Sequence, residues 1–223
     1  FGFEHSQSKN SMEERPMNTP TIKKILVNYR KKQDGCRHFS VLIPIIEIED
    51  DPHLLYEVRS EELRSQPGEI CFPGGKVELG EHHAETAIRE TCEELNLDRD
   101  EIEIIGQIDD IVTPFNMYIH VYVGILNLDI EEIEPNEDEV KELFAVPLSY
   151  LFECEVQEYK TESLLQMPPD FPYEKISSGR AYNFRVGKYP VLFIDFDDKT
   201  IWGITARITA SFIRTLKDLS QDL

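Results

Sequence analysis

A glycine-rich turn running straight into an acid-crowded helix constrains this chain more than any other stretch. Residues 72–97 read FPGGKVELGEHHAETAIRETCEELNL. At about 100° per residue the pattern predicts a helix over residues 84–95, with Ala84, Ala87, Ile88, Thr91 and Leu95 on one apolar stripe. Glu90, Glu93 and Glu94 stand at i, i+3 and i+4 and are expected on the opposite side. Three carboxylates that close repel one another and raise each other's pKa unless a cation sits among them. Hard divalent ions such as Mg²⁺ accept oxygens of this kind, usually with substrate phosphates completing the shell. The plainer alternative is an amphipathic helix with a solvated acidic face.

The spacing of the flanking residues favours the metal. The stretch resembles the Nudix box, G-x5-E-x7-R-E-U-x-E-E-x-G-U with U aliphatic. Gly75, Glu81, Arg89, Glu90, Glu93, Glu94 and Leu97 fall on its specified positions. Thr91 replaces an aliphatic residue and is small enough to stay on the buried stripe. Asn96 replaces the glycine after the helix. Asn tolerates a left-handed helix end better than any other residue except Gly, so the turn is expected to survive. The resemblance implies that Glu90, Glu93 and Glu94 hold Mg²⁺ or Mn²⁺, with the Gly75 carbonyl a further ligand and one glutamate acting as general base. Arg89 is expected to orient these carboxylates, with Glu81 as another partner.

Just upstream, the chain resembles one Nudix subgroup, the coenzyme A pyrophosphatases, whose signature is L-L-T-x-R-S-x3-R-x3-G-x3-F-P-G-G. Leu55, Arg59, Ser60, Arg64, Gly68, Phe72, Pro73, Gly74 and Gly75 match without a gap, while Tyr56 and Glu57 depart from it. Residues 201–206 (IWGITA) fit the subgroup's I-W-G-x-T-A element. Coenzyme A carries a diphosphate and a separate 3′-phosphate, and guanidinium forks bind such groups bidentately. Arg59, Ser60, Arg64, Gly74, Gly75 and Lys76 are therefore the candidate substrate-binding residues. The alternative for the two arginines is a solvated loop paired with Glu57, Glu61 or Glu62. Glu139, downstream, is a second-rank candidate for base or extra ligand, weighed against a plain loop acid.

Net charge is −20, from 23 basic and 43 acidic residues. That argues against general nucleic-acid binding and against anionic membranes, and it means a phosphate-bearing substrate needs local cations or metal. Cys36, Cys71, Cys92 and Cys154 show no zinc spacing and read as reduced thiols of a cytoplasmic protein. No apolar run approaches membrane-spanning length, and no leader is apparent.

Residues 1–18 are expected to be poorly ordered, and residues 19–223 to form one domain, as monomer or homodimer. A helix is expected over residues 20–32, with Ile22, Ile25, Leu26 and Tyr29 on one stripe. Strands are expected at residues 38–48, with Pro44 marking a bend or an edge, and at 54–58, 101–108, 118–126, 143–147 and 189–196. His120 is expected to be a packed histidine rather than a ligand. A last helix is expected over residues 201–219, with Ile204, Ile208, Phe212 and Leu216 facing inward. Strands mixed with helices indicate an α/β sandwich; the resemblance implies the Nudix fold, a mixed sheet between helices. It also implies hydrolysis of coenzyme A or its thioesters to 4′-phosphopantetheine and adenosine 3′,5′-bisphosphate. ADP-ribose or another nucleoside diphosphate derivative is the rival substrate, and a non-catalytic nucleotide-binding module is the rival class.

Overall fold

In the computed structural model, residues 35–220 are described, together with Lys23 and Val27. The expected disordered segment 1–18 and most of the expected first helix lie outside the described residues.

The β-branched and aliphatic run at residues 38–48 builds the central strand β1 (Arg37–Ile48). A two-residue turn follows, with Glu49 and Asp50 both at positive φ (52° and 63°). This is the geometry that matches strand twist in a tight hairpin, and it returns the chain as β2 (Asp51–Arg59) with Ile48 opposite Asp51. Short strands β3 (Ile70–Cys71) and β4 (Gly74–Lys76) lead into helix α1 (His83–Leu95). Then come β5 (Ile102–Gln107), β6 (Ile111–Val112), β7 (Met117–Leu126), β8 (Val140–Pro147) and the short helix α2 (Leu148–Glu153).

The main sheet runs β3-β2-β1-β7-β5, with β4 paired to β1, β6 to β7 and β8 to β2. Only β1 and β7 are parallel within it. A second sheet holds β9 (Gln157–Ser163), β10 (Gly187–Phe196) and β11 (Lys199–Trp202), in the order β11-β10-β9. Helix α3 (Gly203–Ser220) follows β11 directly. Ile201 and Trp202, expected at the start of that helix, belong to β11 instead, paired with Ile194 and Phe193.

Alternation along β1 separates two cores. Ile43 faces a core with Tyr56, Phe72, Ile194, Ile208 and Phe212, so the second sheet and α3 cover that side. Leu42 and Ile46 face the other, with Ala87, Ile88 and Leu95 of α1. Ile208 and Phe212 of the last helix are buried as the spacing predicts, and Ile204 and Leu216 are partly buried against the same core.

Pro44 marks no edge. It lies in the central strand opposite Gly124 of β7. On the other flank β4 pairs with Phe39 to Val41 and β2 begins at Ile45. Leu42 donates its N–H on that flank to the Pro73 carbonyl at 3.0 Å. The imide of Pro44, two residues on, therefore points into the gap between the two partners, where no ladder bond is lost.

Candidate active site

A cleft of about 690 Å³ collects side chains from both matched segments. Phe39 and Val41 of β1 and Met117 and Ile119 of β7 form one wall; Trp202, Ile204 and Thr205 from the tail form part of another. Thr205 donates its hydroxyl to the Ile70 carbonyl at 2.9 Å, tying the start of α3 to β3. Arg59, Gly74, Gly75, Glu90, Glu94 and Glu139 line the polar part.

The glutamates of α1 do not share a side opposite the apolar stripe. Glu94 is 3% exposed and lies among the buried residues of the helix. The helical arithmetic explains it: Glu94 is seven residues, about two turns, beyond Ala87 and so lies nearly above it. Its Oε2 accepts the Gly74 N–H at 2.8 Å. Glu90 is partly buried and also lines the cleft, while the Glu93 side chain is 55% exposed and is not among the lining residues. Arg89 links the set as expected: its nitrogens lie 3.0 Å from Glu81, 2.8 Å from Glu90 and 3.1 Å from Glu93. Hydrogen bonding from Arg89 holds the Glu81 carboxyl down to about 2. Thr86 donates to the same carboxylate at 2.7 Å. Asn96 ends the helix in the left-handed region (φ 51°, ψ 42°), and its side-chain amide donates to the Glu134 carbonyl at 2.9 Å.

Two glycines are there for close approach. A Cβ on Gly75 would lie 2.2 Å from the Glu90 carboxyl carbon, and one on Gly74 would lie 2.4 Å from the Ser40 carbonyl oxygen. The turn therefore seats the Glu90 carboxylate directly against backbone.

The loop after β2 divides. Arg59 is half-buried in the cleft, with Nη1 3.8 Å from Glu94 and 3.9 Å from Glu57. Its Nε is buried and has no hydrogen-bond partner among the described residues. Arg64 and Lys76 are exposed and do not line the cleft, although Ser65 and Gln66 do. Ser60 is 6% exposed and braces the loop instead: its N–H donates to the Glu139 carbonyl at 2.8 Å. That bond also draws Glu139 out of the acidic loop and into the cleft lining, so the plain solvated reading of this acid is corrected.

Both departures from the subgroup signature are in the interior. Tyr56 is fully buried, stacks on Phe72 and Phe144, and hydrogen-bonds Thr209 at 2.9 Å. Glu57 is 1% exposed and was not anticipated as a site residue; alternation puts it on the α1 side of β2, and only the fold brings it to Glu94. Cys71 donates its thiol to Glu57 at 3.0 Å. Burial, followed by repulsion from neighbouring acids, pushes the carboxyls of Glu57 and Glu94 well above the usual carboxylate range. Burial also raises Glu90, against the pull of Arg89. Oxygen donors gathered under repulsion, beside a glycine that leaves room for one of them, make a set that a hard divalent cation fits.

A family model described as the NUDIX domain matches residues 37–165, more than half of the chain. The chain is 33% identical over 164 residues to the peroxisomal coenzyme A diphosphatase of Mus musculus, covering 70% of this chain and 68% of that one. It is 36% identical over 123 residues to the mitochondrial coenzyme A diphosphatase of Homo sapiens, covering 54% and 52%. Against the Nudix hydrolase NudL of Photorhabdus laumondii it is 29% identical over 180 residues, covering 80% and 84%. Among the described residues no helix is long and apolar enough to cross a membrane.

Proposed function

The chain belongs to the Nudix family of pyrophosphohydrolases, and on that premise we propose that it hydrolyses the diphosphate linkage of coenzyme A or a coenzyme A thioester. The products would be 4′-phosphopantetheine and adenosine 3′,5′-bisphosphate. One observation carries this reading: a single cleft holds Glu90, Glu94 and Glu139 beside Arg59 and continues into an apolar wall with Met117, Tyr189 and Trp202. A charged centre with an apolar arm suits a diphosphate bearing long organic substituents on either side, and the volume is that of an ordinary small-molecule site. Relatives named as coenzyme A diphosphatases support the substrate class.

Glu90, Glu93, Glu94 and the Gly75 carbonyl would hold Mg²⁺ or Mn²⁺, with Glu57 and Glu139 close by. When bound, such an ion neutralises diphosphate oxygens and acidifies water. The chain's own residues set the stage for that chemistry. Arg89 keeps Glu81, Glu90 and Glu93 in fixed register. Gly74 fixes the Glu94 carboxylate through its N–H. Arg59 offers guanidinium nitrogens to a phosphate in a protein otherwise strongly acidic. One of these glutamates, in its ionised form, would serve as general base, and burial, which raises both Glu90 and Glu94 above the usual carboxylate range, makes that form a stronger base than a solvated carboxylate. Free thiols at Cys71, Cys92 and Cys154 suit a reducing compartment such as the cytoplasm, and cell fractionation separates that from the organelles named for the relatives.

The test is a substrate panel of coenzyme A, 3′-dephospho-coenzyme A and ADP-ribose, with product identification in the presence and absence of Mg²⁺. Coenzyme A should lead, and only with the metal. Arg59→Ala should lower kcat/KM about tenfold to a hundredfold, the loss expected for a charge-assisted contact to phosphate. Arg64→Ala, from an exposed position, should do less, and any effect should fall on the 3′-phosphate preference. Faster turnover of ADP-ribose with Arg59→Ala unaffected would overturn the substrate assignment and leave the family standing.

A further inference from the structure

Three of the chain's six histidines converge on one point behind the main sheet, from three different elements. His38 lies on β1, His120 on β7 and His83 opens α1. One ring nitrogen from each lies within 4.8 Å of the others. His38 Nδ1 and His120 Nε2 are 3.0 Å apart, and the His83 and His120 rings stack with centroids 3.5 Å apart. None of the three lines the cleft. His83 precedes Glu90 by seven residues, or about 10 Å of helix rise. We propose that His38, His83 and His120 form a second metal site, for a borderline transition ion of the zinc class, that fastens the start of α1 to β1 and β7.

The surroundings are those of a ligand set. Asp110 Oδ2 lies 3.3 Å from His120 Nδ1, and Gln107 donates to the other Asp110 oxygen at 3.1 Å. A carboxylate behind one ring nitrogen fixes the tautomer and leaves the opposite nitrogen's lone pair for a metal. That opposite nitrogen, Nε2, is the one facing His38. Nitrogens bound to one tetrahedral zinc at about 2.0–2.1 Å stand about 3.4 Å apart. The His38–His120 contact already has nearly that span, so an ion would replace the proton shared between them. From within 4.8 Å, the His83 nitrogen has to close by up to about 1.4 Å to complete the set. Its backbone is already pinned, since Ser40 donates its hydroxyl to the His83 carbonyl at 2.6 Å. Burial holds His83 and His120 below the usual imidazole range, against the pull of Asp110. Imidazole donors select against Mg²⁺, which demands oxygen, so the two sites divide the ions between them.

Chelator-stripped protein titrated with Zn²⁺ under saturating Mg²⁺ tests the proposal, with Co²⁺ as the spectroscopic probe. One equivalent of zinc should bind and raise the melting temperature, and Co²⁺ should give the visible absorption of a low-coordinate nitrogen site. His83→Gln and His120→Gln should weaken zinc by at least about a hundredfold, and Asp110→Asn by about tenfold. His120 is buried, so circular dichroism checks its variant, and the more accessible His83 carries the result if that variant is unfolded. His82→Gln, next to the site but exposed, and Glu94→Gln should bind zinc as wild type does. No stoichiometric zinc uptake by wild type, or uptake unchanged in folded His83→Gln, overturns the proposal. So does zinc binding that Mg²⁺ displaces and Glu94→Gln abolishes, because the ion then sits with the glutamates.

Discussion

Replacing Gly75 with alanine should separate catalysis from stability. The new Cβ would stand 2.2 Å from the Glu90 carboxyl carbon and 2.3 Å from both its oxygens. Ordinary carbon–carbon contact is about 3.5 Å, so the carboxyl has to move by about 1.3 Å. It is the far end of a flexible side chain, and Gly75 has no positive φ to be strained, so the fold should absorb the change. The 2.8 Å pair with Arg89 has to rearrange at the same time. Misplacement of a catalytic group by about 1 Å costs on the order of a hundredfold in rate, or about 2.7 kcal/mol of barrier. Gly75→Ala should thus melt within about 2 °C of wild type while losing about a hundredfold in kcat/KM for coenzyme A and needing more Mg²⁺. Gly74→Ala is the control. Its Cβ would meet backbone atoms, the Ser40 oxygen at 2.4 Å and Val41 Cα at 2.7 Å, which cannot swing away. It should lose about 3 kcal/mol or more of stability. A folded Gly75→Ala with wild-type turnover and Mg²⁺ dependence would refute the idea that this glycine exists to seat Glu90; a melting temperature as low as that of Gly74→Ala would refute the claimed separation.

Glu94→Gln should abolish most Mg²⁺-dependent turnover without lowering the melting temperature of chelator-treated protein, because burial already favours the neutral carboxyl there and the amide that replaces it is neutral too, with an oxygen that still accepts the Gly74 N–H; a large drop in melting temperature would contradict this. Glu93→Gln, from an exposed position, tests whether that acid is a ligand at all: if it is, turnover falls by several kcal/mol of barrier, and near wild-type turnover removes it from the set. Without metal, Glu57 and Glu94 have folded pKa values raised above the unfolded 4.5, so their proton-linked stability is complete below about that pH and is lost as pH rises through the raised values. Chelator-treated protein should accordingly melt lower at pH 8 than at pH 5, with Glu57→Gln flattening the slope; equal slopes in the two proteins would sink this account. Asn96→Gly should be nearly neutral, since the side-chain bond it loses is exposed, whereas Asn96→Val should cost about 1 kcal/mol or more in a denaturant titration.

What the sequence determined by itself was local. Helical period, the glycines of the turn and the left-handed tolerance of Asn96 are set by interactions within a few residues; α1 and the Arg89–Glu93 pair are legible from spacing, while the left-handed end at Asn96 and the Glu81 partner are legible through the resemblance to the Nudix box. The same arithmetic, carried one step further, puts Glu94 above Ala87 and so inside rather than opposite. Strand alternation likewise divides β1 and β2 into two faces, but a period of two says nothing of which strand lies beside which. That is why Pro44 reads as a bend or an edge although it sits in the centre of the sheet, at a gap between β4 and β2 that only the pairing reveals. It is also why Glu57, in the sequence only a departure from the signature and a candidate partner for an arginine, becomes a buried acid beside Glu94. Arg59 and Arg64 are equivalent as letters in a signature; the bend of the loop turns one into the cleft and leaves the other in solvent. His38, His83 and His120 are separated by 45 and 37 residues, and it is the parallel pairing of β1 with β7 and the landing of α1 across them that bring their rings together. Contacts between residues this far apart follow from how the two faces of the sheet are covered, which is a property of the whole packed chain and of no single stretch of it.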